Sequence, residues 1–180
     1  MIDYRKLIKE DRYYFEKMII EESINFKMFL KLGWSIDQIY NQLNKNSNIS
    51  FGGFYKKKLV SFVLGDLFNI EKISEYEILV MYVCKNYRKK GFGSKLLTII
   101  EENNKNLKKI YLEVGKNNLE GISFYKKMNF KKIDIRKNYF LLDNKKIDAL
   151  LMCKSLWKMK KNKIYIKSYG CQMNVYDSKR

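Results

Sequence analysis

The stretch VCKNYRKKGFGSKLL, from Val83 to Leu97, decides the fold predicted for this chain of 180 residues. The apolar run that leads into it from Ile78 is typical of a buried strand, and its last residues begin a segment with the apolar spacing of a helix. Two glycines, Gly91 and Gly93, lie in the turn between strand and helix. Such a junction presents free backbone N–H groups at the positive end of the helix dipole, which predicts an anion site.

The chemistry of the turn favours a phosphate as that anion. The glycines let the backbone approach a phosphate closely, and Arg88, Lys89 and Lys90 add cationic side chains. The spacing argues against two common nucleotide sites. No Gly-x-x-x-x-Gly-Lys-Ser/Thr run is found, which speaks against a P-loop, and Leu96 replaces the third glycine of a dinucleotide fingerprint.

The pattern that remains, Arg-x-x-Gly-x-Gly after a strand, resembles the pyrophosphate-binding motif of the GNAT acyltransferases, which hold acetyl-CoA. A second segment follows at the right distance. The strand Ile110 to Val114 contains Leu-Glu-Val, and Asn117-Asn118 opens a helix that carries Phe124-Tyr125. This segment is similar to Leu-Glu-Val … Asn-x-x-Ala-x-x-Leu-Tyr-x-x-x-Gly-Phe of the ribosomal-protein-alanine N-acetyltransferases, the RimI branch of GNAT.

Other features of that branch are spread over residues 1–156, and a few departures accompany them. The shared features are Trp34-Ser35, Arg136 with Tyr139-Phe140, and Asp148-Ala149 before Leu151-Met152. The departures are a lysine for a proline, a glycine for an arginine, a glycine for an alanine and an asparagine for a glycine, at Lys85, Gly115, Gly121 and Asn129. None of them removes a reactive group. Gly121 should weaken its helix by roughly 1 kcal/mol relative to alanine, and the missing arginine at Gly115 leaves a charge near the site unaccounted for.

The resemblance implies an α/β chain with the GNAT acyl-CoA N-acyltransferase fold, a mixed, mostly antiparallel sheet flanked by helices. The apolar patterns agree, because they predict the order β-α-α-β-β-β-α-β-α-β-β. Ser35 is a candidate N-cap for the second helix, and Trp34 is expected to pack in the core. The phosphate turn leads into a helix over 91–104, and the two closing strands lie near 130–141 and 147–155.

The resemblance also assigns the two catalytic roles, a general base to Glu113 and a general acid to Tyr125. An α-amine with a pKa near 8 is mostly protonated at neutral pH, so a base must remove a proton and an acid must protonate the departing thiolate. The residues alone leave simpler interpretations open, an exposed strand carboxylate for Glu113 and a core aromatic for Tyr125. Glu77, on the preceding strand, is a second candidate for the base.

The acetyl-CoA site is expected to be built largely from backbone groups. The amide-rich pantetheine arm can bond to the preceding strand like an extra strand, and the pyrophosphate would lie on the turn. Asn118 matches a CoA-contacting asparagine of the family, and Tyr139 matches a residue at the peptide end of the site. The expected cofactor-binding residues are Met81, Tyr82, Val83, Arg88, Lys89, Lys90, Gly91, Phe92, Gly93, Ser94 and Asn118.

The amino-acid composition limits which metal sites, catalytic groups and cellular locations are compatible with the chain. There is no histidine, and Cys84, Cys153 and Cys171 form no C-x-x-C pair, so we expect no zinc site, no metal, and no Ser–His or Cys–His catalysis. No secretory signal and no apolar run near the roughly 20 residues of a membrane span is found. We therefore expect a cytoplasmic monomer that does not engage a membrane. The net charge of +18 has two interpretations, the lysine bias of an AT-rich genome or a ribosome- or RNA-facing surface.

The end of the chain is unlike the rest. Residues 163–178 contain Tyr-Gly-Cys-Gln-Met-Asn and resemble the start of the radical-SAM tRNA methylthiotransferases, the MiaB family. In that family the cysteine that matches Cys171 ligates an iron–sulfur cluster with two later cysteines, and one thiolate cannot hold such a cluster. The sequence thus predicts an acetyltransferase domain over 1–157 and a basic connector with an inert, truncated segment over 158–180.

The function expected from these residues is transfer of acetyl from acetyl-CoA to the α-amine of an N-terminal alanine, on a basic ribosomal protein similar to S18. Three alternatives stay open. The first is a lysine or small-amine acetyltransferase, and the second is a non-catalytic ribosome- or RNA-binding module of the same fold. The third is a fragment of a fused tRNA-modifying enzyme.

Overall fold

The computed structural model describes residues 2–22, 34–142 and 144–157. They form the predicted order of strands and helices, which is confirmed throughout these ranges. The strands are β1 (Ile2–Lys6), β2 (Phe51–Tyr55), β3 (Lys58–Ile70), β4 (Ile73–Val83), β5 (Leu107–Gly115), β6 (Lys131–Leu142) and β7 (Lys145–Ser155). The helices are α1 (Arg12–Glu21), α2 (Ile36–Leu43), α3 (Phe92–Asn103) and α4 (Leu119–Lys127), with 3-10 turns at Lys9–Asp11 and Lys85–Tyr87.

The strands make one sheet in the order β1-β2-β3-β4-β5-β7-β6. Only β4 and β5 pair in parallel, because α3 carries the chain back across the sheet between them. The other pairs are antiparallel, so the predicted mixed, mostly antiparallel sheet is confirmed. Strands β4 and β5 are longer than their apolar cores suggest, because polar residues extend them; Lys109 Nζ lies 3.5 Å from a carboxylate oxygen of Glu75 on the neighbouring strand.

Each face of the sheet has its own hydrophobic cluster. Phe15 and Met18 of α1, with Ile39 and Leu43 of α2, are buried against one face. Trp34 packs at the edge of this cluster, as predicted. The opposite face is covered by α3 and α4, whose buried residues include Leu96, Leu97, Ile99, Ile100 and Ile122.

The start of α2 is set by hydrogen bonds between nearby residues of the sequence. Ser35 is the N-cap, as predicted, and its hydroxyl oxygen accepts a hydrogen bond of 3.1 Å from the Gln38 N–H. The Gln38 side chain accepts one of 2.6 Å from the Ser35 N–H in return. This reciprocal capping box satisfies two of the N–H groups that a helix start leaves without partners.

The feature of the fold that positions the site is a gap between β4 and β5. Their pairing ends at Ile78 opposite Leu112, although both strands continue beyond that point. At the same level β4 has a bulge against β3, where Ile78 and Val80 face consecutive residues of β3 and Leu79 is extra. A bulge bends its strand and increases the local twist. The ends of β4 and β5 therefore diverge and leave a wedge in the middle of the sheet.

Two further expectations concern the rest of the chain. No helix within the described ranges has the length and apolar character needed to cross a membrane. The segment 158–180, including Cys171, lies outside the described residues.

Candidate active site

The turn before α3 is a row of unused backbone donors. The N–H groups of the six residues from Lys89 to Ser94 donate to no acceptor within the described residues, and the first bond of the helix runs from the Lys95 N–H to the Gly91 carbonyl at 2.9 Å. Gly91 is the N-cap and offers no side-chain acceptor. These donors lie at the positive end of a 12-residue helix. The turn can therefore hold an anion with several oxygens, as the sequence predicted.

The two glycines of the turn serve different physical purposes. Gly91 has a φ of +84°, in the left-handed region that favours glycine, and a Cβ there would have no protein atom within 4 Å. Gly93 lies in the helix, where a Cβ would come within 2.9 Å of Met81 Cε and 3.1 Å of Phe124 Cζ. Gly91 is thus required by the backbone conformation beside open space, while Gly93 lets α3 pack closely on β4 and α4.

Two basic side chains near the turn donate hydrogen bonds to backbone carbonyls that precede it. Arg88 Nε donates to the Val83 carbonyl at 3.0 Å, and its guanidinium lies 5.7 Å from the centre of the Tyr82 ring. Lys90 Nζ donates to the Asn86 carbonyl at 2.9 Å. Lys89 is exposed and has a left-handed φ of 59°. Phe92, by contrast, is buried and packs edge-to-face on Tyr87, so only its N–H is available to an anion at the turn.

The edge of β4 that faces the gap offers peptide groups to a ligand. The Cys84 N–H donates to the Val60 carbonyl at 2.9 Å, so the backbone N–H of Cys84 faces β3. Because successive residues of a strand alternate, Tyr82 also bonds toward β3, whereas Met81 and Val83 face the gap. The Val83 carbonyl accepts the hydrogen bond from Arg88 Nε, which leaves the Val83 N–H and the peptide groups of Met81 for a ligand. Of the three residues predicted to contact pantetheine, these two have the suitable orientation.

The side chain of Tyr82 is tied to the end of α1. Its hydroxyl donates to Glu22 Oε2 at 3.0 Å, and the same oxygen accepts a hydrogen bond of 3.2 Å from the Lys85 N–H. Burial, together with this carboxylate, raises the pKa of the Tyr82 phenol. Glu22 thus joins α1 to the start of the turn before α3, a contact that no sequence pattern indicates.

Glu113 lies on β5 just beyond the last residue paired with β4. Its neighbours Leu112 and Val114 are buried on the α3–α4 face, so the side chain of Glu113 projects from the opposite face. Its carboxylate is 13% exposed and lies 2.5 Å from Nη1 of Arg136, which is 20% exposed. That nitrogen is buried without an aligned hydrogen bond, so the contact is an ion pair. Arg136 also lies 5.4 Å from the centre of the Tyr139 ring.

Tyr125 lies on α4, at the other face of the sheet. Its ring packs edge-to-face on Phe124 and Phe130, and it borders the cluster that contains Leu112 and Val114. Burial raises the pKa of its phenol above the usual value near 10, so the group stays protonated through the neutral range. Within the described residues its hydroxyl makes no hydrogen bond. Glu113 and Tyr125 therefore flank the diverging strands from opposite faces.

Two other predicted residues have defined structural roles, and the second candidate base has a different position. Asn118 is the N-cap of α4, and its side-chain oxygen accepts a hydrogen bond of 2.9 Å from the Gly121 N–H. Tyr139 lies in an irregular part of β6 beside Arg136 and Phe140. Glu77 lies opposite Tyr111, where β4 and β5 are still paired, and so lies below the gap.

A family model describes this arrangement over residues 14–130, which is more than half of the chain. Its description is "Acetyltransferase (GNAT) family". The chain belongs to the GNAT acetyltransferase family. The resemblance stated from the two motifs is thereby confirmed at the level of the family.

Individual relatives support the same fold. An N-alpha-acetyltransferase of Saccharolobus solfataricus is 37% identical over 82 residues, which are 44% of this chain and 47% of that protein. The chain thus matches about half the length of this curated relative. NAA60 of Arabidopsis thaliana, solved with a bisubstrate analogue, superposes with a TM-score of 0.72 and 17% identity, over 86% of this chain and 98% of that one. The ribosomal-protein-S18-alanine N-acetyltransferase of Escherichia coli has a TM-score of 0.70 and 18% identity, over 92% and 100%.

Proposed function

We propose that this GNAT protein transfers the acetyl group of acetyl-CoA to the α-amine of a protein N-terminus, namely the N-terminal alanine of a ribosomal protein similar to S18. The observation that carries the transfer is the row of six N–H groups without an acceptor in the described part of the chain, beside a gap flanked by Glu113 and Tyr125. The choice of amine is supported by the Leu-Glu-Val and Arg-x-x-Tyr-Phe segments and by the names of the relatives above.

The residues of the turn and of β4 would hold the acetyl donor. The pyrophosphate oxygens suit the N–H groups of Lys89 to Ser94, because charge-assisted bonds to backbone donors at a helix start are strong. The peptide groups of Met81 and the N–H of Val83 suit the amides of the pantetheine arm. The arm would then point down the wedge, so that the thioester carbon lies between the ends of the diverging strands.

The chemistry at that carbon requires one base and one acid. The neutral amine nitrogen bonds to the thioester carbon and the carbon–sulfur bond breaks, which yields the acetylated amine and CoA. Glu113 would take the proton that the amine nitrogen loses, directly or through a water molecule. Tyr125, whose pKa is raised by burial, is a phenol at neutral pH and would give a proton to the departing sulfur.

The test is thiol release from acetyl-CoA with three peptides. One has a free N-terminal alanine, one has a blocked N-terminus and a free lysine, and one has neither amine free. We expect release with the first peptide alone, and its loss in Glu113→Gln, a variant that should still unfold cooperatively. Release with the lysine peptide alone would overturn the substrate but not the transfer. If neither the peptides nor whole ribosomal proteins cause thiol release, and the protein binds RNA in a salt-dependent way, a non-catalytic module would be favoured.

We also propose that residues 1–157 form the acetyltransferase domain and that 158–180 is an appendage. The last strand ends at Ser155 and Leu156 still donates to the Lys108 carbonyl at 2.8 Å, which supports a boundary near this point. A chain that ends at Trp157 should therefore keep the acetyl-transfer rate and the unfolding midpoint of the full chain. A loss of either property would place part of the segment 158–180 in the domain.

A further inference from the structure

The proposed base has a cationic partner that reaches it across two strands. Glu113 on β5 lies opposite Leu151 of β7, while Arg136 on β6 lies opposite Ala149 of the same strand. Neighbouring strands are about 4.8 Å apart, so the two backbones are separated by nearly 10 Å. Only a long side chain spans this distance, and within the described residues Arg136 is the sole ion-pair or hydrogen-bond partner of the Glu113 carboxylate.

The arginine comes from the open end of the gap. Ala149 also pairs with Gly115, two residues beyond Glu113 along β5, so Arg136 starts at the mouth of the wedge and leans back over the carboxylate. Its Nη1 is buried and has no other acceptor in the described part of the chain. A substrate amine that approaches Glu113 from the mouth therefore meets this guanidinium first.

The backbone around Arg136 is shaped to hold it there. From Arg136 to Phe140 strand β6 advances four residues while β7 advances only two, so the three residues between them face the single residue Asp148 of β7 in a bulge. The bulge is fixed by Asn138, which has a left-handed φ of 56° and whose N–H donates to Asp148 Oδ1 at 3.0 Å. Tyr139 belongs to the same bulge and offers its ring to the guanidinium. A ring face of this kind attracts a cation that has left its carboxylate.

We propose that Arg136 is a positioning residue, which orients Glu113 and occupies the place of the substrate ammonium until the amine arrives. The proposal rests on the function proposed above. In the free protein the guanidinium holds the carboxylate over the gap. An arriving amine displaces it toward the ring of Tyr139, since two cations cannot share one buried carboxylate without repulsion. The arginine thus guides the base but competes with any amine that arrives protonated.

The competition predicts an unusual kinetic result. In Arg136→Met, a variant of similar length without charge, Glu113 loses its orientation and kcat should fall roughly 10- to 100-fold, the size expected when a base is misplaced. The KM for the peptide should fall as well, because no cation has to be displaced, while the KM for acetyl-CoA stays unchanged. Arg136→Lys, which keeps the charge but not the planar fork, should lie between these values.

Chemical rescue distinguishes a positioning role of Arg136 from a purely structural one. In Arg136→Ala, added methylguanidinium should restore part of the lost kcat, and ammonium should restore less. Lys132→Met is the matched control, because Lys132 is an exposed cation on the same strand and forms no ion pair in the described residues. It should leave kcat and both KM values unchanged.

The proposal would be overturned by wild-type kinetics in Arg136→Met, by a rise in the peptide KM, or by a loss of kcat that methylguanidinium never restores. The pair itself is tested without turnover by urea unfolding of Glu113→Gln, Arg136→Met and the double variant. We expect the double variant to lose less stability than the two single losses together, and additive losses would refute the pairing. The function proposed above fails separately, if the wild-type protein acetylates no N-terminal peptide or if Glu113→Gln keeps full activity.

Discussion

Replacing Gly91 by valine should separate binding of acetyl-CoA from stability of the fold. Gly91 has a φ of +84°, and a β-branched residue in this region costs about 1 to 3 kcal/mol. Because a Cβ there has no protein atom within 4 Å, no packing penalty adds to this strain. Under the proposed function the open space holds the pyrophosphate, so the valine side chain would also collide with the ligand.

The expected loss of affinity can be estimated from the donors that are lost. A turn that relieves the strain by rotating its peptide redirects at least one N–H, and one hydrogen bond to a charged group contributes roughly 1.5 to 3 kcal/mol. This corresponds to a rise of roughly 10- to 100-fold in the dissociation constant of acetyl-CoA. Calorimetric titration with acetyl-CoA measures the affinity, and urea unfolding of the free protein measures the strain.

The matched control is Asn129→Val, which places the same residue at a φ of 67° after the end of α4. It should cost similar stability and leave the affinity for acetyl-CoA unchanged. The phosphate assignment is refuted if Gly91→Val loses stability but binds acetyl-CoA as tightly as the wild-type protein. Equal loss of affinity in both variants would mean that strain anywhere in the fold weakens binding.

Three further predictions follow from the described contacts. Burial raises the pKa of the Tyr125 phenol, so the wild-type kcat should fall only above pH 10. In Tyr125→Phe, kcat should be roughly 10²- to 10⁴-fold lower, and the pH–rate profile should lack this alkaline fall. Gly121→Ala should change the free energy of unfolding in urea by little. The new Cβ would lie 2.7 Å from Asn118 Nδ2 and disturb a helix cap of about 1 kcal/mol, which offsets the gain in helix propensity. An increase of the unfolding free energy by the full propensity difference would contradict this. Burial raises the pKa of Cys84 to about 12 and of Cys153 to about 11, so both should react slowly with a disulfide reagent at pH 8, and rapid labelling of either would be inconsistent with the structure.

The sequence was sufficient for the local features of this fold. The order of elements, the cap at Ser35 and the free donors after Val83 follow from spacing within a few residues, which is where hydrophobic period and glycine position are informative. The ends of β4 and β5 were predicted too short, because their polar residues pair across strands. The expected penalty of Gly121 was incomplete, since it counted helix propensity alone and not the Asn118 side chain that occupies the space of the missing methyl group.

The non-local contacts could not be predicted in this way. The ion pair between Glu113 and Arg136 depends on strand order and on a bulge that shifts the register of β6. Register and bulges are set by pairing between distant segments, and a shift of one residue moves a side chain to the other face. Arg136 belongs to a sequence motif, but its partner is defined only by the order and register of the strands. The contact of Glu22 with Tyr82 and Lys85, between residues 60 and 63 positions apart, has the same cause.

This division between local and non-local features explains how a chain only 17% to 18% identical to solved relatives keeps their fold. The proposed acetyl-CoA site consists mainly of peptide groups, and these need only a glycine at Gly91, a small residue at Gly93 and a strand that leaves its neighbour after Ile78. The proposed amine end is built instead from the side chains of Glu113 on β5 and of Arg136 and Tyr139 on β6. Under the proposed function, substitutions there should change the chemistry and keep the fold, so the identity of the amine has to be tested on these side chains and their variants.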